Sequence, residues 1–345
     1  MTPQYSQLAP KGSAEAEMIN LAFGHFRTQA IAVAAMLGLP DLLADGPKSV
    51  AALAARAGAD PAALNRLLRA LTTIGVFGER DDGRFEMTPL AATLKSDHPA
   101  SLRPLLVLLG QTFHWGAWTH LLHSVRTGES AFERMHGQRF FDYLGADPDA
   151  ERIYGEWRTR QTELQIPAIV DAYDFSRFRS VIDVGGGHGR LLAAILKANP
   201  RTKGTLFDRP EVVEAAQELE RSGVADRAEK VSGDFFEALP KGRDLYVLKT
   251  VVHHWGDERA VAILERCREA MPDGARLVVI ESVVPGPNQA HLSKLLDLNM
   301  LVLSHGGRER TATEYRTLVE RAGLTFMTIV PTRSPLSLIE ARRGA

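Results

Sequence analysis

Residues 181–190 read VIDVGGGHGR, four glycines set directly behind a run of aliphatic side chains. Bare backbone at the end of a strand lets a ligand approach closely, and the first turn of the following helix offers it unpaired N–H groups. The spacing is Asp183-x-Gly185-x-Gly187-x-Gly189, not the G-x-G-x-x-G of dinucleotide sites. Asp208 closes the next apolar run, where a carboxylate accepts both hydroxyls of a ribose. Two further runs lead into GDFF (233–236) and LKTVVHHWGDE (248–258). Four strand ends therefore carry residues of ligand-binding type, placed to hold a ribose-bearing molecule at the carboxyl edge of a sheet.

Such residues need a scaffold of alternating strands and helices, and the chain supplies one after residue 179. Five short apolar segments, 180–185, 204–208, 228–234, 244–250 and 276–282, alternate with helical patterns at 188–198, 211–221 and 257–270. That rhythm predicts an α/β fold with a doubly wound, mainly parallel sheet. LTFMTIVPT and LSLIEARR follow, separated by a few residues around Ser334-Pro335. So short a link permits an antiparallel hairpin and no parallel crossover.

From Ala14 to about Asp174 the pattern is helical almost throughout. LAFGHFRTQAIAVAAMLGLPDLLAD is apolar nearly all round, as in a helix covered by other protein, which points to a dimer. Ser49 reads as a helix N-cap, Gly58 as a C-cap and Asp60-Pro61 as a second helix start, with a hairpin turn at Asp82-Gly83. Two helices and a hairpin outline a winged helix, which raises the question of DNA. Residues 1–100 hold nine Lys or Arg against ten Asp or Glu, and the candidate recognition helix offers Arg66 and Arg69 alone. A DNA-reading module shows a basic face, so packing and dimerisation are the expected roles.

The whole chain of 345 residues carries a formal charge of −1 from 41 basic and 42 acidic residues, which leaves no global field for nucleic acid or an anionic membrane. Its length exceeds one ordinary core, so two domains are expected. The lone Cys267 allows no internal disulfide and suits a reducing compartment. The start, MTPQYSQLAPKGSAEAEM, has no apolar leader core, and runs such as PLLVLLG (104–110) fall short of the roughly 18 residues a membrane span needs. Together these predict a cytoplasmic protein. Aromatic residues thicken between 113 and 160; most belong to a core, and Trp115, Phe132, Tyr154 and Trp157 are candidates to wall a pocket for a flat substrate.

In order along residues 181–311, VIDVGGGHG, LFDRPEVV, GDFFEALP, LKTVVHHWGDE, VVIESVVP and GGRERT resemble the S-adenosylmethionine-dependent small-molecule O-methyltransferases typified by caffeic acid and hydroxyneurosporene methyltransferases. The resemblance implies a winged-helix dimerisation domain at 1–105, forming a homodimer, and a helical connection at 106–175 contributing to a substrate pocket between the domains. It implies a Rossmann-like class I methyltransferase domain at 176–345. The activity implied is methyl transfer from S-adenosylmethionine to a hydroxyl of a small aromatic substrate, leaving S-adenosylhomocysteine, with neither nucleic acid nor membrane as partner.

Carried over by position, the resemblance puts Gly185 and Gly187 at the amino acid part of the cofactor and Asp208 at its ribose, with Asp183 also among the cofactor-binding residues. Asp234 and Phe235 would hold the adenine, and Lys249 would lie nearby. His253 would be the general base, oriented by Glu281 and Glu309, while His188 would merely fill the loop. Positioning is the main device in such a reaction and accounts for roughly 7–11 kcal/mol of barrier. A phenol titrates near ~10 and imidazole near ~6.5, so complete proton transfer before attack is uphill by about 5 kcal/mol. The proton therefore leaves as the carbon–oxygen bond forms, with the carboxylates stabilising the imidazolium.

The chain departs from the family in two places. Plant members read His-Asp-Trp where this chain has His253-His254-Trp255, and His305 stands where proline or a small residue is common. No metal is expected, yet His253, His254 and His305 leave open a divalent or ferric site supporting C-methylation beside a keto group. Without it, His254 is a second hydrogen bonder and His305 a substrate contact. Asn299, Met300 and Leu303, in LLDLNMLVLSHGG, join Trp115 and Trp157 as the expected substrate wall. Glu309 stands between Arg308 and Arg310, so a surface ion pair is its rival role. A cofactor-binding relative that transfers no methyl group, and a winged-helix regulator, are the remaining alternatives.

Overall fold

A computed structural model describes Pro10 and residues 12–344; of the residues read as lacking a leader, 1–9 and 11 lie outside those described. The chain divides into two units, one made of Met1–Gly116 and Asp147–Arg160, the other of Ala117–Ala146 and Gln161–Ala345. The helix Pro148–Ala172 runs from the first into the second.

In the first unit the capping signals act as their chemistry requires. Ser49 Oγ accepts from the Ala52 N–H to open the helix Val50–Ala57, which closes at Gly58 with φ of 64°. Asp60 accepts from the Ala63 N–H at 2.8 Å and starts Pro61–Thr72. Strands β1 (Phe77–Glu79) and β2 (Phe85–Met87) form the antiparallel hairpin. Leu53, Leu64, Leu68, Leu71, Phe77 and Phe85 bury themselves together, leaving Arg66 and Arg69 exposed. The helices Ala14–Ala22 and Gly24–Met36 leave Met18, Leu21, Phe26, Val33 and Met36 facing out. An apolar surface of that extent marks a place where protein meets protein.

The second unit is built on one sheet. Its strands are β3 (Ser180–Val184), β4 (Lys203–Asp208), β5 (Ala228–Ser232), β6 (Leu245–Lys249), β7 (Arg276–Val284), β8 (Arg310–Thr311), β9 (Leu324–Pro331) and β10 (Leu336–Arg343). They lie in the order β5-β4-β3-β6-β7-β10-β9, with β8 beside β7. The four pairings among β3–β7 are parallel, and β10 is antiparallel to both β7 and β9. β3 and β6 are near-continuous apolar runs because helices cover both faces of the sheet. The chain winds outward from β3 in both directions, and the crevice this opens lies at the carboxyl ends of β3, β4 and β6.

Three boundaries differ from the sequence expectation. The helix expected over 188–198 begins at Arg190, after the glycine turn. The one expected over 211–221 is two pieces, Pro210–Ala215 and Glu218–Arg221, because Ala216 is extended at ψ of 107° and its carbonyl is held by Lys230, which also pairs with Glu220 at 2.7 Å. β8, two residues long, carries no strand pattern in sequence. No helix among the described residues is long and apolar enough to cross a membrane.

The outward-facing apolar residues of the first two helices predict self-association. Replacing Leu21 and Phe26 together by Asp should convert a dimer to a monomer in light scattering with the helical circular dichroism unchanged; a variant that keeps the wild-type mass would exclude this face as the interface.

Candidate active site

The glycine turn is shaped by close approach. Gly185 has φ of 70°, and a Cβ there would lie 2.8 Å from Val251 Cγ2 and 3.9 Å from the Phe235 ring, so the ends of β3 and β6 and the segment after β5 converge on one small space. Sequence reasoning passed over Gly186, where a Cβ would meet Leu206 at 2.6 Å and the Asp183 carboxyl at 2.7 Å. Asp183 itself is buried, and its Oδ2 has no hydrogen-bond partner. Burial pushes this carboxyl up to about 7 against the pull of Lys249. Lys249 is buried too, its Nζ 3.3 Å from Thr162 Oγ1. Asp208, at the end of β4, accepts from the Gly187 and Arg209 N–H groups, each at 2.8 Å. The glycine turn and this carboxylate thus share one edge. Asp234 is exposed and caps its own turn through the Phe236 N–H, while Phe235 packs with Phe236 and Trp255 at centroid distances of 4.9 and 6.3 Å. His188 is exposed.

Beyond β6 the chain turns sharply. Thr250 has φ of 51°, a left-handed conformation that a β-branched residue rarely adopts. Its N–H donates to the Ile280 carbonyl at 3.0 Å and its hydroxyl to the Lys249 carbonyl at 2.7 Å, which hold it there. The 3₁₀ turn Val252–His254 follows and carries His253 into the interior. Glu281, on β7 and fully buried, accepts from the His253 backbone N–H at 3.2 Å and sits 3.6 Å from its Nδ1. Glu309 Oε1 lies 3.0 Å from the same Nδ1. One oxygen of each carboxylate has no hydrogen-bond partner. Burial raises both, and like-charge repulsion from Asp297 helps push Glu309 up to about 8 against the pull of Arg310.

The expected rival for Glu309, a surface ion pair, does not form. Glu309 is 4% exposed, Arg308 pairs with Glu314, and Arg310 is fully buried. The Arg310 guanidinium binds Asp257 at 2.7 Å and donates to the carbonyls of Trp255 at 2.7 Å and Val252 at 3.3 Å, which staples the 3₁₀ turn. Sequence gave no sign of this, since an Arg beside a Glu reads as surface charge until its burial is known.

The three imidazoles do not gather. His253 Nε2 and His254 Nε2 face each other at 3.2 Å, whereas His305 is exposed in the turn before Gly306. Among the described residues, the ligand-type atoms that come within 4.8 Å of one another belong to His253, Glu281 and Glu309. The three-histidine set that the sequence left open as an alternative is not the one these atoms form. Adjacent residues do present their rings together because the backbone at 253–254 is a 3₁₀ turn and not a strand or an α-helix. Of the expected substrate residues, Asn299 accepts from the Trp118 indole N–H at 3.2 Å, and Met300 and Leu303 are buried on the same helix. Trp115 and Trp157 belong to the first unit. Phe132, expected at the pocket wall, is fully buried edge-on to Phe140 and Tyr143, as a core side chain.

A doubly wound sheet, a glycine turn whose Gly187 N–H donates to the carboxylate ending the next strand, and a buried histidine beside two carboxylates accord with the class I S-adenosylmethionine-dependent methyltransferase fold. Residues 118–325 match the O-methyltransferase domain, and residues 19–97 match the O-methyltransferase dimerisation domain. The chain belongs to this O-methyltransferase family. It is 44% identical over 326 residues to the phenazine O-methyltransferase PhzM of Lysobacter antibioticus, covering 94% of this chain and 95% of the relative. It superposes with a TM-score of 0.81, at 36% identity, on the O-methyltransferase NcsB1 from neocarzinostatin biosynthesis in complex with S-adenosylmethionine and a hydroxy-methyl naphthoic acid, over 92% of this chain and 96% of that one. It is also 40% identical over 303 residues to the aclacinomycin 10-hydroxylase RdmB of Streptomyces purpurascens, covering 86% and 81%.

The pKa of Glu309 fixes a prediction for stability. A carboxyl raised in the fold from 4.5 to about 8 costs stability when ionised; the cost is absent below about pH 4.5, grows as pH rises to 8 and then stays constant. Glu309→Gln should therefore melt above the wild type at pH 8, with the difference vanishing near pH 5. A variant that melts below the wild type at pH 8 would contradict the assignment.

Proposed function

We propose that this methyltransferase moves a methyl group from S-adenosylmethionine to a hydroxyl of a small aromatic molecule of natural-product type, with His253 as general base. One observation carries the reading: the Nδ1 edge of His253 is committed to Glu309 inside the protein, so the ring nitrogen that takes the proton is Nε2, which faces His254 Nε2 at 3.2 Å. Glu281 holds the backbone of the same residue and Glu309 its ring, so the imidazole cannot turn. The logic is that of a carboxylate selecting one histidine tautomer.

The residues present fit the cofactor. The space where Gly185, Val251 and Phe235 converge accommodates backbone-close binding, and Gly187 and Asp208 frame a ribose-type site. The unpartnered oxygen of Asp183 suits an ammonium group, with Lys249 beside it, and Asp234 with Phe235 suits an adenine edge and face. When bound, the cofactor supplies an electrophilic methyl carbon on a sulfonium centre. The chain then has two tasks, to hold the acceptor oxygen in line and to take its proton as the new bond forms. Asn299 and His254 are proposed to meet the acceptor. His305, Met300, Leu303, Trp115 and Trp157 stay secondary candidates.

The named relatives support the substrate class, since they act on or bind phenazine and naphthoic acid rings. The hydroxylase among them shows that fold alone does not set the chemistry, and the buried His253–Glu309 contact favours methyl transfer here. The same reading assigns self-association to residues 1–105 and cofactor binding to 176–345, and places the enzyme in the cytoplasm, where the buried thiol of Cys267 stays reduced.

Incubation with labelled cofactor and a panel of hydroxyphenazine, dihydroxynaphthoic acid and aminohydroxybenzoate should give methyl ethers. His253→Gln should lower the single-turnover rate by about 10²–10⁴-fold while calorimetry shows unchanged cofactor affinity. The wild-type rate should rise with pH up to about 8, as Glu309 ionises and selects the reactive tautomer; the groups facing His253 are Glu281, Glu309 and His254, with Asp297 and Arg310 behind Glu309. No labelled product, or a fully active His253→Gln, would overturn the proposal.

A further inference from the structure

On the reading that Asn299 meets the substrate, we infer that the substrate carries a hydrogen-bond acceptor besides its hydroxyl, a ring nitrogen, carbonyl or carboxylate, and that Asn299 reads it. The ground is one contact: the Trp118 indole N–H reaches Asn299 Oδ1 at 3.2 Å. An indole nitrogen donates and never accepts, so it fixes which arm of the amide is oxygen. Turned the other way, the amide would set N–H against N–H. Both residues belong to the second unit, and both are half-buried.

Asn299 stands on the helix Ser293–Leu303, which is tied to the base. Two residues before it, Asp297 accepts the Glu309 backbone N–H at 2.9 Å, and Glu309 in turn holds the His253 ring. Three residues after it, the Val302 carbonyl accepts from the Ser130 hydroxyl at 3.0 Å. The helix is therefore fastened on both sides of Asn299, and the indole sets the remaining freedom of its amide. Among the described residues no group takes the two Nδ2 hydrogens, and this nitrogen is not one of the buried atoms left without a partner. They are open to a ligand. The amide thus offers two N–H donors against at most one remaining oxygen lone pair. A ring nitrogen, carbonyl or carboxylate completes it. A C–H edge of the same shape displaces water from the donors and leaves them unpaired, a cost the matching group avoids. An amine meets an oxygen that the indole already occupies.

The test measures binding, by calorimetry, to the enzyme saturated with S-adenosylhomocysteine. The ligands are two ring systems of one shape, 1-hydroxyphenazine and 1-hydroxyanthracene, the first with nitrogens where the second has C–H groups. The affinity ratio should favour hydroxyphenazine by about tenfold more in the wild type than in Asn299→Leu; the different hydration of the two rings cancels in that comparison. Asn299→Asp keeps an oxygen for the indole but replaces the donors by a second oxygen, and should lose the same preference. Trp118→Phe frees the amide to turn, and should raise the affinity for 5-amino-1-naphthol relative to hydroxyphenazine. Equal ratios in the wild type, Asn299→Leu and Asn299→Asp overturn the inference. So does a uniform loss of binding to every ligand in the Asn299 variants, the pattern of a side chain that only supports its helix, and so does failure of both rings to bind the wild type. His253→Gln separates this inference from the base. It should abolish turnover and leave the affinity ratio unchanged; full activity in it removes the base, while the wild-type ratio still decides what Asn299 reads.

Discussion

The site depends on one contact, a 3.0 Å approach of the His253 ring to a buried carboxylate. Burying an ionisable cluster is costly, and each member stays because others complete its hydrogen bonds. Glu309 is held through its backbone N–H by Asp297, while Glu281 takes the His253 backbone N–H. Arg310 supplies the compensating charge next door and ties down the turn that presents the histidine. Truncating the Arg310 or Asp297 side chain would leave a neighbour buried and unsatisfied, which is a larger penalty than losing one hydrogen bond at a surface.

Sheet register brings these residues together from three parts of the chain. Lys249 pairs with Ile280, so Glu281 stands one residue beyond the point where β6 ends and the chain turns toward His253. The left-handed Thr250 redirects the backbone at that point. Val283 pairs with Arg310, and this two-residue addition to the edge of β7 sets Glu309 beside the ring. On the other side of the sheet's centre, β3 and β4 place the glycine turn against Asp208 by the same register logic. The glycine turn beside Asp208 and the buried histidine are therefore two outcomes of one strand order.

Much of this was legible in the sequence. Alternating strands and helices, the capped helices of the first unit and the cradle residues each follow from local patterning, because turn and cap chemistry acts over a few residues. The triad of His253, Glu281 and Glu309 came from resemblance to a family, and no spacing within 253–309 would have revealed it. Burial made the difference elsewhere. Arg310 reads as surface charge and is fully enclosed, and Phe132 reads as pocket wall and is core. The facing rings of His253 and His254 were unreadable for another reason: periodicity assumes strand or α-helix, and the residues sit in a 3₁₀ turn.

The central claim is that Glu309 holds the neutral His253 ring with its proton on Nδ1 and its lone pair on Nε2. ¹⁵N NMR of the histidine-labelled enzyme without substrate, followed from pH 7 to pH 9, reads this directly. A proton on Nδ1 and a bare Nε2 at the upper end of that range, lost in Glu309→Gln, is the predicted result. A ring carrying its proton on Nε2 throughout, unaffected by that substitution, would contradict the account.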